Sequence, residues 1–457
     1  MQELLDTIAA VSTPHGEGGV GIIRISGTKA AEIADRVFLA RNKKRLSEGG
    51  GYSMRLGTVT VDGKAIDDAL ALLFRAPKSY TGEDVVELQC HGGPVLLSQI
   101  LRALVDAGAR VASRGEFTRR ALLNGRITLT EAEGIANLIS ADSRQGEAAA
   151  YAQSGGALLR ETERQKGEVL ALQSAIAAWV DFPEEDVEPV DSVLLIVQLK
   201  KLEESLQKLV DSYETGLVVL RGIPAVIAGS PNVGKSTLMN LLTGYEKAIV
   251  TPTAGTTRDV LEHRIQLGGT TLQLADTAGI RKSDDAIEVI GVSKAFERIE
   301  QSALVFAVFD NSRPLSQDDR DLMKRLDVRR TIALINKADL PTVLDSSEIE
   351  SFFEKTVRIS AIEPETLQVM NEVVARRLGT NNFSPDLPVL MNERQRSAAT
   401  AALTAVCEAL SAAENQMTPD VVFSLLDEAL AALMELSGEN VSDAVLDEVF
   451  SRFCVGK

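Results

Sequence analysis

The stretch IPAVIAGSPNVGKSTLMN, Ile223 to Asn240, decides the fold of the middle of the chain. AVIAG is a short apolar run of buried-strand type. Gly229 to Ser236 has the spacing G-x-x-x-x-G-K-S, and TLMNLLTG follows at once with helical periodicity. Strand, glycine loop and helix in direct succession make a phosphate cradle, because loop amides and the positive helix terminus face the same anion. Asn232, Val233, Gly234, Lys235, Ser236 and Thr237 are its expected members. Lys235 is expected to reach the β- and γ-phosphates, and Ser236 to place its hydroxyl on Mg2+.

Three stretches downstream complete the site in order. DTAG (Asp276, Thr277, Ala278, Gly279) follows the strand-like TLQLA. Asp276 is expected to hold Mg2+ through water, and the Gly279 amide to meet the γ-phosphate. NKAD, with Asn336, Lys337 and Asp339, follows TIALI. An Asp339 carboxylate can accept from guanine N1–H and N2–H2 together, which adenine does not offer, so GTP is the expected ligand. Asn336 would orient the loop and contact the base, while Ser360 and Ala361 support it from behind.

Between cradle and DTAG lies Thr251, Pro252, Thr253, Ala254, Gly255, Thr256 and Thr257. A threonine here can ligate Mg2+ only while the γ-phosphate is present, which makes the segment a switch. Thr257 is assigned that role, with Thr256 as its competitor.

The source of hydrolytic power is less direct. Ras-type proteins place a water-orienting Gln after DTAG, whereas this chain has Ile280. No switch-region arginine stands out as a finger. The Asn232 carbonyl and backbone oxygens of TPTAGT could instead surround a monovalent cation. Glu288 is available to orient water, but from the residues alone a solvated helix position is the stronger reading.

The flanks differ in texture. Residues 1–118 alternate Gly-punctuated strands with short helices: VGIIRIS, an Asp62-Gly63 turn between RLGTVTV and ALALLFRAP, and VVELQC. From 119 to 216 the pattern is helical. Thr130 and Glu133 read as a capping box; Leu195, Leu199, Leu202, Leu206 and Leu209 form one packing seam; Gly216 reads as a C-cap. Residues 217–380 alternate strand and helix as a doubly wound sheet does. Residues 381–457 begin with a polar linker and turn helical, with Thr418-Pro419 opening VVFSLLDEALAALMELSG. The expected fold class is therefore α/β and all-α multidomain: an N-terminal α+β domain, then a helical domain with a P-loop domain inserted between its two segments, with four consecutive units as the alternative.

Composition narrows the function classes. The 457 residues carry a net charge of −17, which argues against a broad basic nucleic-acid footprint while leaving room for a local one. Cys90, Cys407 and Cys454 are far apart and lack ligand spacing, so neither disulfides nor a zinc site is expected, and a reducing, cytoplasmic setting is. No membrane segment or signal peptide is expected. The terminal Cys-Val-Gly-Lys is a poor prenylation box, because Gly456 and Lys457 fit neither of its last positions.

GGVGIIRISG, SYTGEDVVELQCHGGP, RGEFTRRALLNGRI, GSPNVGKS, TAGTTRD, DTAGIRK and the final FCVGK stand in an order that resembles the tRNA-modification GTPase family MnmE, also called TrmE. The resemblance runs from about residue 8 to the last residue. It implies an N-terminal folate-binding domain that drives homodimerisation, a helical domain in two segments and an inserted Ras-like G domain. It implies K+-dependent meeting of G domains across the dimer, which activates hydrolysis. K+ would be held by Asn232, Thr251, Thr253 and Thr256, Mg2+ by Ser236 and Thr257, and Glu288 would be catalytic. A tetrahydrofolate derivative (5-formyl or 5,10-methylene type) would meet Arg24, Glu87, Arg126 and Lys457, with Cys454 near its one-carbon group as nucleophile, ligand or packing. Arg126 stands where Lys was equally acceptable, which changes the donor geometry. The FAD-dependent partner MnmG would share in modifying the wobble uridine, U34, of certain tRNAs at C5.

A ribosome-assembly RNA-binding GTPase is the main rival. It calls for a basic RNA-binding appendage, which an overall −17 without such a module disfavours. A purely regulatory switch, or a folate-dependent aminomethyltransferase acting alone, explains only part of the motif set.

Overall fold

The computed structural model describes residues 6–181, 192–244, 262–275, 299–384 and 386–457. The chain divides into two compact units, each woven from separated segments. One comprises Met1–Ala136, Ser154–Pro189 and Pro419–Lys457; the other comprises Asn137–Gln153 and Val190–Thr418.

The first unit is built on seven strands: β1 (Ile8–Val11), β2 (Gly18–Ser26), β3 (Phe38–Ala40), β4 (Ser53–Val61), β5 (Lys64–Phe74), β6 (Val85–Gly92) and β7 (Arg110–Val111). Their order is β3-β4-β5-β6-β2-β1-β7, with only the β1–β7 pair parallel. Asp62 and Gly63 join β4 to β5 with Val61 opposite Lys64, both at positive φ (50° and 75°), which is the backbone of a tight hairpin turn. The helices Ala30–Ala34 and Pro94–Asp106 pack their apolar residues with the buried strand positions into one core. On the alternate positions, Leu39, Met54 and Leu56 stay exposed. In the same unit the long helix Ala157–Asp181 packs with Pro419–Ser437.

One expected cap moves. The helix Leu129–Ser140 begins two residues before Thr130 could cap it. Thr128 is the capping residue: its Oγ1 accepts from Glu131 N at 3.3 Å, and Glu131 Oε2 accepts from Thr128 N at 2.7 Å. Both Thr-x-x-Glu pairs satisfy the sequence rule; Thr130 is instead buried behind the first turn.

The second unit holds β8 (Ile223–Ala228), β9 (Glu262–Leu267), β10 (Thr270–Ala275), β11 (Leu304–Asp310), β12 (Thr331–Asn336) and β13 (Thr356–Arg358). The order is β13-β12-β11-β8-β10-β9, all parallel except β9. Every residue of β11 and β12 is buried, as central strands of a parallel sheet covered on both faces must be. One core lies on each face. This is a Ras-like doubly wound sheet, whose ligands belong at the carboxyl ends of the strands, where the order reverses beside β8.

Helix Ser192–Arg221 packs against Glu393–Glu414 in this unit, and Leu199, Leu202, Leu206 and Leu209 are buried along it. Gly216 is not its C-cap. The helix runs on to Arg221, and Gly222, at φ +67°, ends it. Gly216 is instead a point of close approach: a Cβ there would stand 2.4 Å from the Leu390 carbonyl oxygen.

Candidate functional site

The glycine loop joins the end of β8 to the helix Lys235–Gly244. Its curvature places Asn232 at φ +64° and Gly234 at φ +100°. Gly234 is needed for space as well, since a Cβ would meet Asn336 Nδ2 at 2.2 Å. Lys235 turns back over the loop and donates from Nζ to the carbonyls of Gly229 and Ser230, both at 2.8 Å. Ser236 and Thr237 are exposed in the first helical turn, and Val233 is fully buried beneath it. The loop thus gathers a lysine, two exposed hydroxyl residues and a helix N-terminus, a donor set that suits an anion.

The loops after β12 and β13 are tied to that cradle. Asn336, almost fully buried, donates from Nδ2 to the Val233 carbonyl at 2.8 Å and accepts from Ala361 N at 2.9 Å through Oδ1. One amide side chain therefore fixes three loops. Asp339 is exposed, and its Oδ1 accepts from Ser360 Oγ at 2.7 Å, so the carboxylate is pre-aimed. Lys337, at φ +66°, sends Nζ to Asp310 Oδ2 at 2.6 Å. Burial raises the Asp310 carboxyl, but hydrogen bonds from Lys337 and Ser312 outweigh it and hold the group below its usual range. Thr251 to Thr257, Asp276 to Gly279 and Glu288 lie outside the described residues.

In the first unit, Arg24 on β2 faces Glu87 on β6, with Nε 2.8 Å from Oε1. The Arg24 guanidinium also lies over two rings, 5.4 Å from the Tyr80 centroid and 5.6 Å from that of Phe117. The C-terminal residues return to this sheet. Val455 bridges Arg114 in antiparallel fashion, Gly115 N donates to the Cys454 carbonyl at 3.3 Å, and Ser12 Oγ donates to the Gly456 carbonyl at 3.0 Å. Lys457 is brought close to Arg24. Burial first, and the Arg24 charge second, hold its ammonium below the usual lysine value, with Cys454 acting in the opposite sense. Cys454 itself is exposed.

Arg24, Glu87, Lys457 and Cys454 thus belong to one neighbourhood. Arg126 is exposed just beyond the helix Glu116–Leu123, with its stem over the Gly82 turn, where a Cβ would meet its Cγ at 3.3 Å. The reading of the sequence missed Tyr80 and Phe117, whose rings hold Arg24, and Ser12, which anchors the tail. An aromatic beside the SYTGED turn was the only signal for the first, and an isolated serine gave none for the last.

A family model described as the GTP-binding protein TrmE N-terminus matches residues 7–126, and one described as the MnmE helical domain matches residues 129–454. The tRNA modification GTPase MnmE of Acetivibrio thermocellus is 39% identical over 457 residues, covering 99% of each chain. Those of Heliobacterium modesticaldum and Geobacter sulfurreducens are each 39% identical, over 463 and 461 residues, again with 99% of both chains covered. Among the described residues no helix is long and apolar enough to cross a membrane. With both family models and full-length relatives in agreement, the chain belongs to the MnmE family of tRNA modification GTPases.

Proposed function

We propose that this GTPase works as one half of a tRNA-modifying pair: with an FAD-dependent MnmG partner it installs a folate-derived one-carbon, aminomethyl-type group at C5 of U34 in certain tRNAs. The observation that carries this reading is the tail. A nucleotide cradle alone would suit any GTPase, but here the last residues are hydrogen-bonded onto the N-terminal sheet and bring Lys457 beside Arg24. That gathering of Lys457, Arg24 and Glu87 away from the nucleotide loop supports a second, non-nucleotide site.

The residues fit the groups the reading needs. Lys235, Ser236 and the loop amides suit a Mg2+-bound triphosphate, and Asp339 suits guanine. Ser236 with Thr257 would hold Mg2+. Asn232, with Thr251, Thr253 and Thr256, would hold K+, whose charge replaces an arginine finger. Glu288 would orient the attacking water. Thr277, Ala278 and Gly279 would line the γ-phosphate beside Asp276. The folate derivative supplies the one-carbon unit. Glu87 presents a carboxylate to a pterin N–H edge, while Arg24, Arg126 and Lys457 present positive charge to carbonyls and carboxylates. Cys454 lies near that group as nucleophile or ligand.

The exposed Leu39, Met54 and Leu56 support a homodimer through the N-terminal sheet. The segments 1–118, 119–216, 217–380 and 381–457 would act respectively as folate-binding, first helical, GTPase and second helical parts, in the cytoplasm. MnmG would provide much of the tRNA grip for so acidic a chain.

The test is GTP turnover in K+ against Na+ at equal ionic strength and several protein concentrations. Strong, concentration-dependent K+ stimulation is expected, and a Glu288→Ala variant should bind GTP without turning it over. Equal rates in the two salts would overturn the cation site. Tight tRNA binding by this chain alone would overturn the division of labour with MnmG.

A further inference from the structure

The second residue of the glycine loop, Ser230, is buried and donates from Oγ to Asp319 Oδ1 at 2.5 Å. Asp319 lies far away in sequence, in the first turn of the helix Gln317–Arg325, and is 2% exposed. It caps its own helix, accepting from Ser316 N at 3.0 Å and Ser316 Oγ at 2.7 Å. It also meets the Arg313 guanidinium, with Nη1 3.0 Å from Oδ2 and Nη2 3.3 Å from Oδ1. Burial raises its carboxyl, but the Ser230 and Ser316 hydrogen bonds and the Arg313 charge outweigh it and leave the group below its ordinary value. A carboxylate so placed stays ionised and has its lone pairs engaged.

The contacts do not stop there. Arg313 Nε stands 3.9 Å from Asp310 Oδ2, the oxygen that pairs with Lys337 Nζ at 2.6 Å. Lys337 follows Asn336, whose Nδ2 returns to the glycine loop at the Val233 carbonyl. Ser230, Asp319, Arg313, Asp310, Lys337, Asn336 and Val233 therefore close a ring. It leaves the glycine loop at one residue and rejoins it three residues later, passing through the base-recognition loop on the way.

We infer that Asp319 is a positioning residue for the nucleotide: through Ser230 it holds the phosphate loop in its anion-binding shape, and through Arg313 and Asp310 it ties that loop to the guanine-recognition loop. A helix cap needs Ser316 alone. The additional bond to Ser230 is what a cap does not require, and it reaches the one buried hydroxyl of the loop. Loops held at both ends lose less conformational freedom on binding, so the ring strengthens nucleotide binding by preorganisation. The inference rests on the GTPase reading and extends it to residues outside the nucleotide motifs.

The experiment uses the full chain and fluorescent N-methylanthraniloyl-GDP. Ser230→Ala is expected to weaken GDP binding about tenfold and to raise KM for GTP more than it lowers kcat. Ser230→Thr, which keeps the hydroxyl, should restore binding. Asp319→Asn should weaken it similarly, and the double variant should be no worse than the worse single, because both remove one link. Asp310→Asn should couple non-additively with Ser230→Ala. Ser230→Ala leaves the helix cap intact, so it reports even where Asp319→Asn fails to fold. Unchanged GDP affinity in Ser230→Ala, failure of Ser230→Thr to rescue, or strict additivity would each overturn the ring. Failure of the unmodified chain to bind GDP would overturn the nucleotide reading beneath it.

Discussion

Gly456 lies against Val11: a Cβ at residue 456 would stand 2.3 Å from the Val11 carbonyl oxygen, and the backbone there has φ +96°. Both steric reasons act together, so no L side chain fits without lifting the tail. Gly456→Ala should cost roughly 1–3 kcal/mol of tail docking. Binding of a reduced folate, measured by calorimetry, should fall with it, while GTP turnover by the same sample stays within twofold. Retained folate binding would mean the tail does not build the site.

Asn336→Ala removes two hydrogen bonds at once and leaves the Val233 carbonyl and Ala361 amide without them. Each buried group stranded this way costs roughly 1–3 kcal/mol. KM for GTP should rise at least about tenfold. An unchanged KM would show that the three loops hold their shape without this side chain.

Arg120 is fully buried and pairs with Asp6, Glu83 and Glu116. Arg120→Met takes the guanidinium from Glu83 and leaves Asp6 and Glu116 to Arg110 alone, so the first unit should lose roughly 3–5 kcal/mol. Acid should act in the same direction. For Glu116 burial raises the carboxyl, but hydrogen bonds from Arg110 and the Ser113 amide outweigh it, and the folded value lies below 4.5. A depressed carboxyl contributes stability above its unfolded value and loses it as pH falls through the folded one. Thermal melts of the unmodified chain should therefore drop below about pH 4.5, and Arg110→Met, which removes the main partner of Glu116, should flatten that drop. An identical pH profile in the variant would rule out the network as its source.

The three thiols should differ in reactivity. Burial first, and the Asp67 charge second, push Cys90 up to about 12. Cys407 is half-buried and raised mainly by burial, while Cys454 is exposed. Iodoacetamide at about pH 8 should label Cys454 first and Cys90 last. Mass spectrometry of partly labelled protein checks the order, and early labelling of Cys90 would contradict its burial.

Gly216→Ala sets two effects against each other. In an exposed helix the change stabilises by about 1 kcal/mol. Here the new methyl would meet the Leu390 carbonyl oxygen at 2.4 Å and Val389 Cγ1 at 2.6 Å, and backbone cannot rotate away. Overpacking costs roughly 1–3 kcal/mol, so net destabilisation is expected in chemical denaturation. A more stable variant would show that the 389–390 segment moves freely.

Much of this is legible in the chain alone. The glycine loop, NKAD and the Asp62-Gly63 turn are local: each needs particular residues at fixed short spacing, because backbone φ and hydrogen-bond reach are set within a few residues. The seam from Leu199 to Leu209 is likewise one periodicity of one helix. Where two local solutions satisfied the same rule, the choice was not local. Thr128 caps with Glu131 rather than Thr130 with Glu133, because burying Thr130 in the first unit decides where the helix starts.

Runs of adjacent residues carry the chemistry on offer: a phosphate-loop spacing, the NKAD aspartate and the stretches that mark the family. Which distant residues complete it depends on how the sheets and helices pack. Gly216 looks like a helix end until the Leu390 carbonyl is placed against it, and Ser230 is one more loop residue until Asp319 arrives from beyond β11. Nothing in a spacing rule records such partners, because a contact across hundreds of residues depends on how sheets and helices pack. Ser12 holding Gly456 across the whole length of the chain is the extreme case.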